Sequence, residues 1–202
     1  MIGVIDYGAS NIRSVANALE FLGQDMHLAT VPSEIDDAEK IILPGVGAFA
    51  PGMERIRDQG FEDFLHQKAK EGIPILGICL GMQFLLESST EDGDHTGLGL
   101  IAGRCIRFEI DEKVPHMGWN QLRHDETHPL MVGVPNESSY AYFVHSYHAA
   151  DVPSDCVIAQ TDYGYLYPSI IGHNNIYGMQ FHPEKSQKIG LRLLKNFCEM
   201  EG

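Results

Sequence analysis

Apolar and polar positions along this chain fall into two regimes. In the first, short apolar runs alternate with stretches whose apolar residues recur every three or four positions. Residues 2–6 read as a buried strand, and residues 26–30, Lys40–Leu43 and 74–78 as three more. Ile12, Val15, Ala18, Leu19 and Leu22 share one stripe of a helix over residues 11–21, with Ser10 as its candidate cap. After a Pro-Gly loop a second helix is predicted over Phe61–Lys70, and a third starts directly after the last strand, over residues 80–87. Strands and helices alternating at this spacing predict an α/β fold, an open and mostly parallel sheet flanked by helices on both faces.

From about residue 100 the pattern changes. Short strands around residues 103–110, 141–145, 157–160, 169–173 and 176–180 are separated by turn residues and predict antiparallel additions, which make the sheet mixed. Asn174-Asn175 stands where a tight hairpin turn fits. A last helix over Gln187–Glu199 turns Ile189, Leu193, Leu194 and Phe197 inward. With no repeat, low-complexity tract or linker, residues 1–202 read as one domain.

Composition narrows the function classes. Of 202 residues, 44% are hydrophobic and 21% charged, ordinary globular values that exclude a disordered or fibrous chain. A formal charge of −14 repels phosphates and disfavours nucleic acid or an anionic membrane as a general partner. The longest apolar stretch, residues 73–86, is broken by Pro74, Gly77, Gly81 and Gln83 and is too short to span a bilayer. The amino terminus lacks a basic segment and a cleavage site, and the four cysteines form no Cys-x-x-Cys pair. Neither export nor a disulfide framework is expected, which leaves the cytoplasm.

The chemistry concentrates in Gly77-Ile78-Cys79-Leu80-Gly81-Met82-Gln83, where a buried strand gives way to a helix. Glycines two residues before and after the central position permit a sharp strand-to-helix turn of the nucleophile-elbow kind, with Cys in place of Ser. A thiol at a helix start meets unpaired N–H groups and the positive dipole end, which favour an anion. A lone cysteine in such a turn also reads as a buried structural thiol; the flanking glycines favour the nucleophile. Of ten histidines, His182 in Phe181-His182-Pro183-Glu184 is the best placed base. Pro183 biases His182 toward extended backbone, which puts His182 and Glu184 on one side, the carboxylate orienting the ring. Leu43-Pro44-Gly45-Val46-Gly47 is a second glycine-rich turn after a strand. It reads either as a plain connection or as a source of a backbone N–H, from Val46 or Gly47, beside Cys79. It matches no phosphate-cradling pattern, and no cofactor is expected. His124-Asp125-Glu126-Thr127-His128 fits neither H-E-x-x-H nor H-x-x-E-H, and Pro129 points to a loop, so no metal is expected.

Together these segments resemble the class I glutamine amidotransferases, whose Gly-x-Cys-x-Gly and later His-Pro-Glu form a Cys-His-Glu triad. The likeness spans nearly the whole chain. It is closer still to the glutaminase subunits that serve histidine biosynthesis, through Pro115-His116-Met117-Gly118-Trp119-Asn120 and Tyr142-Phe143-Val144-His145-Ser146-Tyr147. The resemblance implies that Cys79 is the nucleophile, His182 the general base then acid, and Glu184 the orienting carboxylate. It implies an oxyanion hole from Gly47 and the N–H of Leu80. Gln83, Ser146 and Tyr147 would hold L-glutamine, and Glu91 its α-amino group. The implied partner is a (β/α)8-barrel cyclase, forming a heterodimer that receives ammonia, on a face including Asn11, Trp119, Tyr142 and Lys185. As the only Trp, Trp119 suits an interface centre or the core, and Tyr142 on a strand suits either as well. Three other readings stay open here: a paralogous glutaminase serving another synthase, such as one of surface-sugar biosynthesis; a catalytically silent interaction subunit; and a cysteine hydrolase with its own substrate.

Overall fold

The computed structural model describes residues 1–124 and 127–200. Its first half runs β1 (Ile2–Ile5), α1 (Ile12–Phe21), β2 (Met26–Ala29), β3 (Lys40–Leu43), α2 (Phe49–Asp58), α3 (Phe61–Lys70), β4 (Ile75–Ile78) and α4 (Leu80–Phe84). The second half adds β5 (Ser88–Ser89), β6 (His95–Thr96), β7 (Arg104–Arg107), β8 (His116–Gln121), β9 (Arg123–His124), β10 (Tyr140–His145), β11 (Tyr147–Ala150), β12 (Val157–Tyr163), β13 (Tyr165–His173), β14 (Ile176–Met179) and α5 (Gln187–Glu199).

Among the described residues one large sheet has the order β2-β1-β3-β4-β14-β13-β12-β9. It is parallel from β2 through β14, and β13, β12 and β9 then attach antiparallel. The mixed α/β architecture expected from the sequence is thus present. Parallel strands buried on both faces alternate between two cores. Val4, Ile42, Leu76 and Met179 point to the side covered by α1 and α5, where Leu19, Leu193 and Phe197 meet them. Ile5, Ile41, Leu43, Ile75 and Ile176 point to the side covered by α2 and α3, against Phe49, Ile56, Phe61 and Leu65. Each such fully buried side chain contributes about 1.5–3 kcal/mol, so the two apolar faces fix the register of the central strands.

Several local expectations differ from the fold. Ser10 does not cap α1; Asn11 holds the N-cap position, with no side-chain cap bond. The Pro-Gly stretch lies inside helix α2. Pro51 falls in its first turn, where a missing N–H removes no helical bond, and a Cβ at Gly52 would meet the Phe84 ring at 2.4 Å. The strands β8 and β11 carried no strong alternation in sequence. They belong to two small sheets, β10-β8 and β11-β7-β5-β6, beside the carboxyl ends of the parallel strands. The Asn174-Asn175 hairpin joins β13 to β14 as expected, with Asn174 at φ +53. Asp125 and Glu126, part of the His-rich segment, lie outside the described residues.

The bend from β4 to α4 depends on two absent side chains. A Cβ at Gly81 would sit 1.8 Å from the Leu43 carbonyl oxygen, and one at Gly77 would sit 2.5 Å from the Gly81 carbonyl. The start of α4 therefore presses against the end of β3 through bare backbone. Gly81→Ala is expected to lose about 3 kcal/mol or more, because the Leu43 carbonyl is strand backbone and cannot give way. Gly72→Ala is the control, with φ +83 but nothing within 4 Å. It should lose only the roughly 1–2 kcal/mol of left-handed strain. Urea unfolding of both variants checks the difference; equal losses would remove the steric explanation.

Candidate active site

Cys79 sits between β4 and α4 with φ 54 and ψ −110, a backbone that a side chain rarely adopts. Its N–H donates to the Met179 carbonyl at 2.8 Å, which ties the bend to β14. The side chain opens onto a cavity of about 390 Å³ that also receives Val46, Gly47, Leu80, Gln83, Glu91, Ser146, Tyr147 and His182. Burial pushes up the other three thiols, Cys105, Cys156 and Cys198, and no disulfide is formed.

His182 follows β14 in extended backbone, and a short 3-10 turn, Pro183–Lys185, brings Glu184 beside it. The Nδ1 of His182 lies 2.8 Å from Glu184 Oε1, with both side chains out of solvent. With Nδ1 engaged by Glu184, Nε2 is the nitrogen left for the Cys79 sulfur, which acts on His182 across the cavity the two residues share. Burial opposes charge on this ring, but the Cys79 sulfur and the Glu184 carboxylate outweigh it and push the imidazole up to about 10. Its backbone is clamped as well: His182 N–H donates to the Tyr142 carbonyl at 3.0 Å. Ser186 Oγ accepts the Tyr142 N–H at 2.9 Å and donates to the His182 carbonyl at 2.7 Å. No motif marks this role for Ser186, because a serine before a helix usually reads as a cap.

The glycine-rich loop after β3 does lie beside Cys79, as its position after a parallel strand suggested. Gly47 is exposed with φ +109 and lines the cavity. The Leu80 N–H, expected to face an oxyanion, instead donates to the Gly45 carbonyl at 3.4 Å. A carbonyl oxygen thus already occupies that donor. Gln83 is buried, its Nε2 donating to the Tyr147 carbonyl at 3.1 Å and to Gln180 Oε1 at 3.2 Å. Glu91 is half-buried, which pushes its carboxyl up, and it accepts the Phe49 N–H of α2 at 2.6 Å.

The residues assigned to a partner face divide. Trp119 and Tyr142 are directly paired between β8 and β10, with rings 6.0 Å apart and edge to face. Trp119 is 48% exposed, beside Met117 at 62% and Tyr140 at 48%, so its core reading is overturned. Lys185 is exposed at the same end. Asn11 departs from the expectation: it is buried, with Nδ2 3.4 Å from Glu184 Oε1. Among the described residues no group of three His, Cys, Asp or Glu is arranged to hold a metal, and no helix is long and apolar enough to cross a membrane.

A layer of aromatic rings and histidines lies beside the cavity. Phe108, Phe143 and Tyr167 pack around His116, His145 and His148. Burial pushes His145 down to about 3 and His116 to about 4, so both rings are neutral at pH 7.

Comparison with known proteins places this geometry. The family profile described as "Glutamine amidotransferase class-I" matches residues 3–200. The chain is 48% identical to the imidazole glycerol phosphate synthase subunit HisH of Desulfitobacterium hafniense (strain Y51), over 98% of this chain and 93% of that one. It is 50% identical to the subunit of that name from Halobacterium salinarum, over 98% and 92%, and 42% identical to that of Bacillus subtilis, over 99% and 96%. Its fold is similar to a solved glutamine amidotransferase (TM-score 0.79, 20% identity, 98% of this chain and 97% of that one). It is similar also to PurLQS from Thermotoga maritima (TM-score 0.78, 20% identity, 98% and 96%).

Two outcomes follow from the buried groups. Ser186→Ala leaves the Tyr142 N–H and the His182 carbonyl without their side-chain partner and should lose about 1–3 kcal/mol, measured by urea unfolding. An unchanged midpoint would show that the clamp carries no weight. For His145 the folded value lies below the unfolded one of about 6.5. Between those values the unfolded chain takes up a proton that the folded chain refuses, so stability is full above about pH 6.5 and falls as pH drops toward 3. His145→Gln should flatten the pH dependence of unfolding by up to one proton, ~1.4 kcal/mol per pH unit. Parallel curves for the two proteins would contradict a neutral buried ring.

Proposed function

The chain belongs to the class I glutamine amidotransferases, and from that membership we propose that it is the glutaminase subunit of an imidazole glycerol phosphate synthase. It hydrolyses L-glutamine to glutamate and ammonia, and passes the ammonia to a (β/α)8-barrel cyclase in a cytoplasmic heterodimer of histidine biosynthesis. The observation that carries the reading is His182, held by Glu184 at 2.8 Å in the cavity it shares with Cys79. The full-length likeness to the HisH subunits supports the choice of synthase.

In this reading the Cys79 thiolate attacks the side-chain carboxamide carbon of glutamine. The carbonyl π electrons move to oxygen, and backbone donors at Leu80 and Gly47 receive that charge. His182 gives its Nε2 proton to the departing nitrogen, and ammonia leaves as the γ-glutamyl thioester forms. The neutral ring then takes a proton from water, whose oxygen attacks the thioester. Glutamate departs, and the sulfur anion and the charged ring are restored. Glu184 keeps Nε2 aimed at the reacting atoms by accepting from Nδ1 at every stage.

The Gly45 carbonyl on the Leu80 N–H gives this site a resting form. One oxyanion donor is typically worth ~3 kcal/mol, or roughly 10²–10³ in turnover. The free chain is therefore slow until the loop turns. The face of Met117, Trp119, Tyr140 and Tyr142 fits the partner's docking surface, because it is exposed, aromatic and joined through Tyr142 to the backbone of His182.

Cys79→Ala in the reconstituted heterodimer should abolish synthesis from glutamine and leave synthesis from added ammonia intact. Loss of both activities would contradict the division of labour. Glu184→Gln should reduce turnover less than His182→Ala, since a neutral amide still accepts from Nδ1. Copurification decides the synthase: another enzyme in place of a barrel cyclase would overturn that part.

A further inference from the structure

Beside the cavity, which His145 itself lines, four hydrogen bonds join into one chain. Asn120 Nδ2 lies 3.2 Å from His116 Nε2, and His116 Nδ1 lies 3.1 Å from the Tyr167 hydroxyl. That hydroxyl lies 3.2 Å from His145 Nε2, and His145 Nδ1 lies 2.7 Å from the Tyr147 carbonyl. Tyr167 is 1% exposed, and both histidines are buried.

The direction of every link follows from the two ends. A carbonyl only accepts, so His145 carries its hydrogen on Nδ1. Burial keeps that ring neutral, which leaves Nε2 an acceptor, and the single hydroxyl hydrogen of Tyr167 must point to it. The Tyr167 oxygen then accepts from His116 Nδ1–H, and His116 Nε2 accepts from Asn120. At that end the orientation is set independently. The Asn120 Nδ2 group also donates to the Asp162 carbonyl at 2.8 Å, while its Oδ1 accepts the Gln121 N–H at 2.8 Å. Both ends demand the same polarity.

The chain has a definite start and finish. Asn120 stands next to Trp119 on β8, beneath the exposed aromatic face. Tyr147 lines the cavity, and its carbonyl also accepts Gln83 Nε2 at 3.1 Å. We propose that Tyr167 is a positioning residue for glutamine binding, the hub of a one-way donor chain that holds the Ser146-Tyr147 wall in register with strand β8. The inference rests on the glutaminase reading for the identity of the ligand, and on the hydrogen bonds alone for the chain itself. No motif marks Tyr167, which comes from the antiparallel part of the sheet.

The test has two arms. Nitrogen-15 NMR of the full chain near pH 7 should show His116 and His145 neutral, each with its hydrogen on Nδ1. A hydrogen on Nε2 of either ring, or a charged ring, would overturn the chain. Tyr167→Phe keeps the ring and removes both hydroxyl links. In the heterodimer it should raise KM for glutamine roughly tenfold, with kcat within about twofold of wild type, the pattern of lost ground-state binding. Alkylation of Cys79 by iodoacetamide should keep its wild-type rate, which a general loosening of the fold would not allow. An unchanged KM, or kcat and alkylation falling with it, would overturn the positioning role. Absence of glutamine hydrolysis by the wild-type heterodimer would instead sink the functional reading, and the NMR arm would still decide the chain.

Discussion

Everything at this site hangs on how closely the first turn of α4 approaches the end of β3. The Leu43 carbonyl occupies the space that a side chain at residue 81 would need, and the Gly81 carbonyl occupies that of residue 77. With both positions bare, the chain turns from strand to helix within one residue. That residue, Cys79, absorbs the turn in a strained backbone and is thrust into the cavity. The same approach sets the glycine-rich loop after β3 against the Leu80 N–H. Cys79 and the Leu80 N–H are thus placed by one steric constraint, and a looser bend would displace both.

The second half of the chain supplies what this bend lacks. β14 pairs with β4 and carries the chain on to His182, so Cys79 and His182 descend from adjacent parallel strands. Neighbouring strands lie about 4.8 Å apart, a separation that two side chains bridge readily. Strand β10 then braces the base from outside. The N–H and carbonyl of Tyr142 engage Ser186 and His182, so the strand that presents the aromatic face also holds the imidazole loop. Pressure on that face has a path of one residue to the base.

Polar atoms are buried in number around the cavity. Among the described residues Asn11 Oδ1, Glu184 Oε2 and Gln180 Nε2 are buried without a hydrogen-bond partner. Each unmet group opposes folding by about 1–3 kcal/mol. The two apolar cores on either side of the sheet offset that penalty. Groups held short of full satisfaction are available to a substrate or to a moving loop.

Hydrophobic periodicity determined the parallel half of the fold, because strands buried on both faces and amphipathic helices leave strong signals over few residues. Lys40–Leu43, Phe61–Lys70 and Gln187–Glu199 were legible to the residue. That Cys79, His182 and Glu184 come together was legible too, since glycines around a cysteine and a proline after a histidine restrict the backbone locally. Helix α2 was hidden by Pro51-Gly52, whose tolerance depends on the Phe84 ring and on a first-turn position. The seating of Asn11 against Glu184, the Gly45 carbonyl on the Leu80 N–H and the hub role of Tyr167 were decided only in three dimensions. Each joins residues distant along the chain or depends on the rotation of one peptide group. Periodicity reports which way a side chain faces, and carries no record of which buried donor meets which acceptor.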